Sequence, residues 1–148
     1  MNQRVLFAIV LFLVMAFSIS VPKARADQWN QQTELTFNEP VEIPGHTLPA
    51  GTYWFVLVNN NSSRNVVKIF SADWSVLYDT LVTVPTIRGR ASEETILTFA
   101  KRPYDEPRAV LDWFYPDETV GHEFVYPKNV EWELSRDMHQ EVTAHAGE

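Results

Sequence analysis

Histidine and carboxylate side chains are the groups in this 148-residue sequence that could carry out chemistry. His46 precedes a turn, and His122 is followed directly by Glu123. If loops at one end of a β-fold brought these three side chains together, they would offer ligands to a metal ion. Adjacent residues of a strand point to opposite faces, however, so His122 and Glu123 would not readily bind the same ion. We therefore predict no metal site and no cofactor.

Carboxylate pairs that hydrolyse glycosidic bonds lie about 5 to 10 Å apart. Five acidic residues fall in one part of the sequence: Asp105, Glu106, Asp112, Asp117 and Glu118. With 19 acidic residues in the chain, chance proximity of two of them is expected. The sequence has no cysteine and no G-x-S-x-G, H-E-x-x-H or Gly-rich phosphate-binding motif. It therefore favours a protein that is not an enzyme, with a hydrolase that uses His122 or an acid near Asp117 as the alternative.

Aromatic side chains give a more specific indication. Trp29, Trp74 and Tyr104 fall in predicted loops, where a ring can stack on a sugar or on a partner protein. A further aromatic-rich segment covers residues 113–126. The predicted binding residues come from these two groups: Trp29, Trp74, Tyr104, Trp113, Tyr115, His122 and Tyr126. The alternative is that the loop rings close the ends of the fold.

Two arginines, Arg88 and Arg90, stand two positions apart in a predicted loop over residues 86–94. Two guanidinium groups at this spacing could bind an anion. Glu93 and Glu94 follow in the same loop, so local charge pairing in a solvated loop is the alternative.

The stretch from Leu48 to Val58, LPAGTYWFVLV, is the element around which we expect the other strands to be arranged. Pro49 and Gly51 predict a tight turn, after which a strand begins. Both alternating faces of that strand are bulky and apolar, and Trp54 lies on one of them. A strand of this kind is normally covered on both sides.

Seven further strands are predicted: Leu35–Phe37, Val41–Ile43, Val66–Phe70, Val76–Val84, Thr95–Ala100, Ala109–Tyr115 and His122–Tyr126. Pro85 is expected to end one strand, and prolines on both sides of residues 41–43 predict an edge. The even spacing and tight turns predict an all-β fold, an antiparallel meander that forms a β-sandwich or a flattened barrel.

The periodicity changes from residue 129 onwards. Val130, Leu134, Met138 and Val142 recur at every fourth position among charged residues. This pattern predicts one amphipathic helix over about residues 129–143. We expect the helix to cover one sheet face or one barrel mouth.

The amino-terminal residues 1–26 have the pattern of a cleaved signal peptide, with a basic start, an apolar run and Ala24-Arg25-Ala26 before the cut. An uncleaved membrane anchor is the alternative. A single domain, residues 27–148, would remain, with nine basic residues against 19 acidic ones. Such a charge disfavours nucleic acid and anionic lipid as partners. We expect an exported protein, periplasmic or extracellular, that leaves the membrane after cleavage.

Several motifs occur together along the chain: PVEIPG at 40–45, LPAGTYWF at 48–55, VVKIF at 66–70, WFYP at 113–116 and GHEFVYPK at 121–128. In this combination the chain resembles a family of uncharacterised, signal-bearing bacterial proteins of similar length. The resemblance implies export and an all-β fold, and it implies no activity, cofactor or catalytic residue.

Together these patterns predict a non-catalytic binding or structural module of the cell envelope. A polysaccharide or an envelope protein is the expected partner. Two alternatives stay open: the hydrolase described above, and a barrel that carries a small apolar ligand in its interior.

Overall fold

The computed structural model describes residues 31–60, 63–103 and 105–144. In these ranges the chain forms strands and one short helix, which confirms the predicted all-β class. The elements are β1 (Gln32–Phe37), β2 (Val41–Ile43), β3 (His46–Leu48), β4 (Gly51–Asn60), β5 (Ser63–Ser71), β6 (Leu77–Ile87), β7 (Thr95–Lys101), β8 (Arg108–Phe114), β9 (Val120–Phe124), α1 (Lys128–Leu134) and β10 (Met138–Ala144). No helix among the described residues is long and apolar enough to cross a membrane.

Strand β6 joins two layers of the structure. It pairs with β5 as far as Val82 and with β9 from Thr83 onwards. We call β1, β4, β5 and the first part of β6 the front sheet. The back sheet contains the rest of β6 with β9, β8, β7 and β10, and β2–β3 is attached to β8. The pairings are antiparallel except that of β2 with β8, so the predicted antiparallel arrangement is confirmed with this one parallel addition.

The inward faces of the two sheets form one core. Phe55 on β4 and Trp113 on β8 are both 0% exposed, and their ring centroids lie 6.2 Å apart in an edge-to-face arrangement. Phe99 on β7 is buried beside Phe37 on β1. Aromatic side chains bury large apolar areas, so these rings fill the space between the sheets.

The prediction that β4 is covered on both faces is wrong. Tyr53, Phe55 and Leu57 are buried, whereas the alternate residues Trp54 and Val56 are only half-buried. An apolar strand needs a covering element on each side, and the described residues provide one on the inner side alone. The outer face of the front sheet therefore carries apolar side chains in contact with solvent.

Two predictions that were based on prolines are also wrong. Pro85 does not end β6: it lies opposite His122 on β9, and β6 continues to Ile87 opposite Val120. Strand β2 is not an edge, since it lies between β3 and β8. Proline lacks an N–H but can occupy a strand position where no ladder bond is required.

The predicted amphipathic helix exists but ends at Leu134, much earlier than expected. Arg136 N donates to the carbonyl of Glu133, and Asp137 N donates to that of Leu134, which tightens the chain into a turn. From Met138 the chain forms β10, which pairs with β7. The fourfold repeat of Met138 and Val142 also satisfies the twofold repeat of a strand, and pairing with β7 decides between the two.

Candidate functional site

An aromatic ledge lies on the outer face of the front sheet, formed by Trp54 on β4, Phe70 on β5 and Trp74 in the β5–β6 turn. Trp54 and Phe70 are cross-strand partners. Trp74 stacks on Trp54, with ring centroids 5.1 Å apart and an angle of 27° between the rings. Its centroid lies 5.3 Å from that of Phe70. Because Trp74 is still 44% exposed, the ledge presents a flat ring to solvent.

The turn over residues 71–75 holds Trp74 in an unusual conformation. Its φ of 63° lies in the left-handed region, which costs a bulky residue about 1 to 2 kcal/mol. Asp73 Oδ1 accepts hydrogen bonds from Ser71 Oγ at 2.6 Å, Ser75 Oγ at 2.7 Å and Ser75 N at 3.1 Å. These bonds, first that from Ser71 and then those from Ser75, lower the pKa of Asp73 to about 2. The ionised carboxylate thus fixes the turn that presents the ring.

Polar and apolar groups border the ledge. Trp54 Nε1 donates to the carbonyl of Ala72 at 3.2 Å, which fixes the orientation of the Trp54 ring. Glu34 lies opposite Trp54 on β1, and Thr36 Oγ1 is 2.9 Å from Thr52 Oγ1 nearby. A run of exposed apolar residues follows Trp74: Val76, Leu77 and Tyr78. A ligand on the ledge would therefore meet aromatic rings together with a carboxylate and hydroxyl groups.

Two of the predicted binding residues belong to the interior. Trp113 is 0% exposed and contacts Phe55. Tyr126 is 5% exposed, and its hydroxyl lies 2.9 Å from the carbonyl oxygen of Val110 and 3.1 Å from that of Glu42. Burial raises the pKa of Tyr126. The prediction that these rings contact a ligand is wrong, because the core requires them.

His122 is also an interior residue. Its ring lies against Trp113 with centroids 5.7 Å apart, and its Nδ1 is 3.3 Å from Thr83 Oγ1. Burial lowers the pKa of His122 below its usual value, which favours the neutral imidazole. A catalytic histidine needs an acid partner and an accessible substrate, whereas His122 contacts a hydroxyl and an indole ring. Among the described residues, the structure therefore places His122 with core side chains and without an acid partner, and its predicted roles in binding or hydrolysis stay predictions.

The two arginines of the predicted anion site lie in different surroundings. Arg88 Cζ is 5.3 Å from the centroid of the Phe114 ring, and its Nη2 is 3.6 Å from a carboxylate oxygen of Glu141 on β10. Arg90 is exposed. Arg88 is thus already engaged by a ring and a carboxylate, and an anion site at this loop stays a prediction.

The remaining predicted aromatic residues give less information. Tyr115 is half-buried and packs against the core. Trp29 and Tyr104 lie outside the described residues. Of the predicted binding residues that the structure describes, Trp74 is the one that lies in an exposed aromatic cluster.

The candidate metal ligands do not converge. His46 Nδ1 lies 3.5 Å from Asp79 Oδ2 at the surface, whereas His122 points into the core and Glu123 is exposed. In the part of the chain that the structure describes, no three His, Asp or Glu side chains form a group that could hold a metal ion.

A groove of about 430 Å³ lies between α1 and the strands β6, β8 and β9. Asp112 on β8 and Glu123 on β9 are cross-strand partners, and both line the groove together with His139 of β10. Burial and, after it, the charge of the neighbouring Glu123 raise the pKa of Asp112 to about 6. A hydrogen bond from Thr98 and the charge of His139 act in the opposite direction. Asp112 can therefore carry a proton in mildly acidic solution.

Arg102 attaches α1 to the strands beside this groove. Its guanidinium lies 2.5 Å from Glu42 Oε2, 2.9 Å from Glu106 Oε2 and 3.2 Å from Glu133 Oε2 on α1. Burial alone would lower the pKa of Arg102, but the hydrogen bond and charge of Glu42, with the other two carboxylates, outweigh burial and raise it. Glu106, one of the five predicted acids, is therefore part of this ion-pair cluster.

The other predicted acids lie elsewhere. Asp105 and Asp117 are exposed and have φ values of 65° and 64° in turns, and Glu118 N donates to the carbonyl of Tyr115. Asp112 is the one predicted acid that lines the groove under α1.

Sequence reasoning missed Trp54 and Phe70 as surface residues and Glu123 as the neighbour of Asp112. The sequence predicts that Trp54 is covered, because strands that are apolar on both faces are normally covered, and it assigns Phe70 to no particular face. The pairing of Asp112 with Glu123 depends on the register of β8 and β9, which the sequence alone does not specify.

Comparisons with protein-family models, with curated proteins and with solved structures found no match to this chain. The resemblance to a family of uncharacterised, signal-bearing bacterial proteins therefore stays a prediction from the motifs quoted above.

Proposed function

We propose that this protein is a non-catalytic binding module of the cell envelope or the extracellular space, and that it holds a glycan on the aromatic ledge. The observation that carries the proposal is the exposed face of Trp74, which the backbone holds in a left-handed conformation against Trp54 and Phe70. Local backbone strain concentrates at functional sites. Here the strain holds an aromatic ring at the surface, where 44% of the residue stays exposed to solvent.

A glycan fits this surface for two reasons. The apolar face of a sugar ring stacks on an exposed aromatic ring, and its hydroxyl groups can bond to neighbouring acceptors such as Glu34 and Thr36. These groups lie on β1 beside the ledge. A protein partner that buries the apolar run after Trp74 is the competing ligand class, which the experiment below distinguishes.

The proposed location depends on residues 1–26. Their basic start, apolar run and A-x-A motif favour export, although this segment lies outside the described residues. An acidic, cysteine-free domain suits the periplasm or the exterior equally well.

The experiment is a titration of the purified protein with soluble polysaccharides, followed by tryptophan fluorescence. Trp74→Ala should weaken binding by about tenfold or more, because stacking by one aromatic ring contributes on the order of 1 to 3 kcal/mol. The matched control is Trp132→Ala on α1, since Trp132 is also exposed, at 58%, but lies away from the ledge. This control should bind like the parent.

Two results would contradict the proposal. One is binding that Trp74→Ala leaves unchanged. The other is a complete absence of binding to every polysaccharide while an envelope protein binds through Trp74, which would assign the ledge to a protein partner.

A second candidate function, a carboxylate-based glycoside hydrolase, is favoured by one observation, the pairing of Asp112 with Glu123 in the groove under α1. A protonated carboxyl at Asp112 could donate its proton to the leaving oxygen of a glycoside, and the ionised Glu123 could activate a water molecule. Hydrolysis of chromogenic glycosides between pH 4 and 7 tests this function. Asp112→Asn and Glu123→Gln should each abolish any turnover, and turnover that survives in both variants excludes the pair.

The third sequence-based hypothesis, an apolar-ligand carrier, finds less support. Such a protein needs interior space of a few hundred Å³. In the middle of the core, Trp113, Phe55 and Phe99 are essentially fully buried and occupy the space that an enclosed ligand would need, and the cavity of about 660 Å³ lies at the edges of β1 and β10 instead.

A further inference from the structure

Along one side of the molecule the edges of the two sheets are not hydrogen-bonded to each other. We call the gap between these edges, β1 and β10, the seam. Strand β1 is an edge of the front sheet and β10 is an edge of the back sheet, and among the described strands β1 pairs with β4 alone and β10 with β7 alone. A cavity of about 660 Å³ lies between them. The seam narrows where Thr33 Oγ1 lies 3.4 Å from Thr95 Oγ1, the latter opposite Ala144 at the end of β10.

On its outer edge, β1 has backbone groups that no other described residue pairs with, and these groups point into the seam. Leu57 N donates to the carbonyl of Gln31 at 2.8 Å. Because antiparallel partners alternate between bonded and non-bonded pairs, Thr33 and Leu35 also exchange hydrogen bonds with β4. The N–H and C=O groups of Glu34 and Thr36 therefore point away from β4.

The opposite wall and the floor suit an extended chain. Alternate residues of β10 likewise have backbone groups that do not face β7. Three buried side chains line the floor of the seam: Phe37, Leu97 and Phe99. Val142 of β10 is half-buried beside them. Arg108 lies over Phe99, with Cζ 4.8 Å from the ring centroid.

We propose that the seam binds an extended segment of another polypeptide, which adds as a strand to the free edge of β1. A strand repeats its N–H and C=O groups at every second residue, about 6.6 to 6.8 Å apart, and this repeat matches the free groups of β1. Sugars and lipid chains have no such repeat. Addition of a peptide strand to an open sheet edge is a general mode of recognition.

The charge at the edge of β1 indicates one residue of the peptide, while Lys101 and Arg108 line other parts of the seam. Glu34 is on the outward face of β1, so a lysine or arginine opposite it would form a favourable cross-strand pair. Residues opposite Leu35 and Phe37 would face the apolar floor. The bound segment should therefore alternate apolar residues with polar ones and carry a basic residue opposite Glu34. A second copy of this chain paired through β1 would place glutamates near each other, which disfavours a dimer.

The test begins with selection of short random peptides displayed on phage against the purified protein. The strongest binder is synthesised with a fluorescent label, and its affinity is measured by anisotropy. Glu34→Pro removes the outward N–H and places a ring on the edge, while the bonds of β1 to β4 stay intact. Binding should fall by about tenfold or more, because a buried acceptor loses its donor. Glu34→Ala, which keeps the N–H, is the matched control and should cost about threefold or less.

A second measurement does not depend on the folding of a variant. The same peptide, N-methylated at the residues that would bond to β1, cannot form the ladder, so its affinity for the unaltered protein should fall by about tenfold or more. Trp74→Ala should not change peptide affinity, which distinguishes peptide binding from stacking on the aromatic ledge, since Glu34 borders both sites.

Three results would overturn the proposal. The first is selection that yields no peptide, and the second is equal affinity of the methylated and unmethylated peptides. The third is self-association of the protein in sedimentation that competes with the peptide, which would assign the seam to a second copy.

Discussion

The outer faces of the two sheets differ in what covers them. On the back sheet, α1 lies beside β8 and β9, and the groove between them contains Asp112 and Glu123. On the front sheet, no strand or helix among the described residues covers Trp54 and Phe70, and Trp74 of the β5–β6 turn packs on them. The comparison shows that apolar residues of a strand do not always belong to a core. They can also lie on an outer face that no other element covers. It is this uncovered face that we propose as the binding surface.

The largest expected effect is the difference in stability loss between a tryptophan in the core and one on the outer face. Trp113→Ala should lower the free energy of unfolding by about 3 to 5 kcal/mol, because it removes a fully buried ring. Trp54→Ala should cost only about 1 to 2 kcal/mol, since the half-buried ring loses less apolar area. Chemical denaturation of both variants measures the difference. Equal losses would mean that Trp54 is as enclosed as Trp113 and that the ledge is not a surface.

The next effect is a difference in glycan affinity between variants of two exposed tryptophans, Trp74 on the front sheet and Trp132 on α1. Trp74→Ala should weaken glycan binding by about tenfold or more without a large loss of stability, and Trp132→Ala should change neither. Fluorescence titration and a thermal melt of each variant give the two values. A loss of glycan affinity in the Trp132 variant would move the binding surface to α1.

The groove on the back sheet predicts a pH effect. Folding raises the pKa of Asp112 from 3.8 to about 6, first through burial and then through Glu123, so the folded state binds the proton more tightly than the unfolded state. The contribution to stability is greatest below about pH 4 and is lost as the pH rises through 6. Asp112→Asn should remove this dependence and stabilise the protein at pH 7.5 by about 1 kcal/mol, after allowance for solvent in the groove.

Denaturation curves of the parent and the Asp112→Asn variant at pH 5 and pH 7.5 test this prediction. An asparagine variant less stable than the parent at pH 7.5 would show that the ionised carboxylate has a stabilising partner in the groove.

The smallest effect concerns the turn that presents Trp74. Folding lowers the pKa of Asp73 from 3.8 to about 2 through its bonds from Ser71 and Ser75. Its stabilising contribution is complete above pH 4 and is lost as the pH falls towards 2. Tryptophan fluorescence of the parent should change over this range, and Asp73→Asn should lack that change. Identical acid titrations of the two proteins would mean that Asp73 does not control the turn.

Several strands could be predicted from local patterns alone. The turn at Pro49 and the alternation of Tyr53, Phe55 and Leu57 are sufficient to place β4, because sterics and burial act within a few residues there. The end of α1 could not be predicted, since residues 138–144 suit a helix or a strand and pairing with β7 decides. For the same reason the sequence indicated Trp74 but not its stacking partners, which come from two other elements.

The most direct test of the uncovered face is a spectrum of the tryptophan indole N–H groups of the ¹⁵N-labelled protein during addition of a binding polysaccharide. The indole signals of Trp54 and Trp74 should shift together in proportion to the bound fraction, while those of Trp113 and Trp132 stay in place. A shift of Trp132 alone, or binding that moves neither ledge signal, would contradict the proposal that the protein binds through the aromatic ledge.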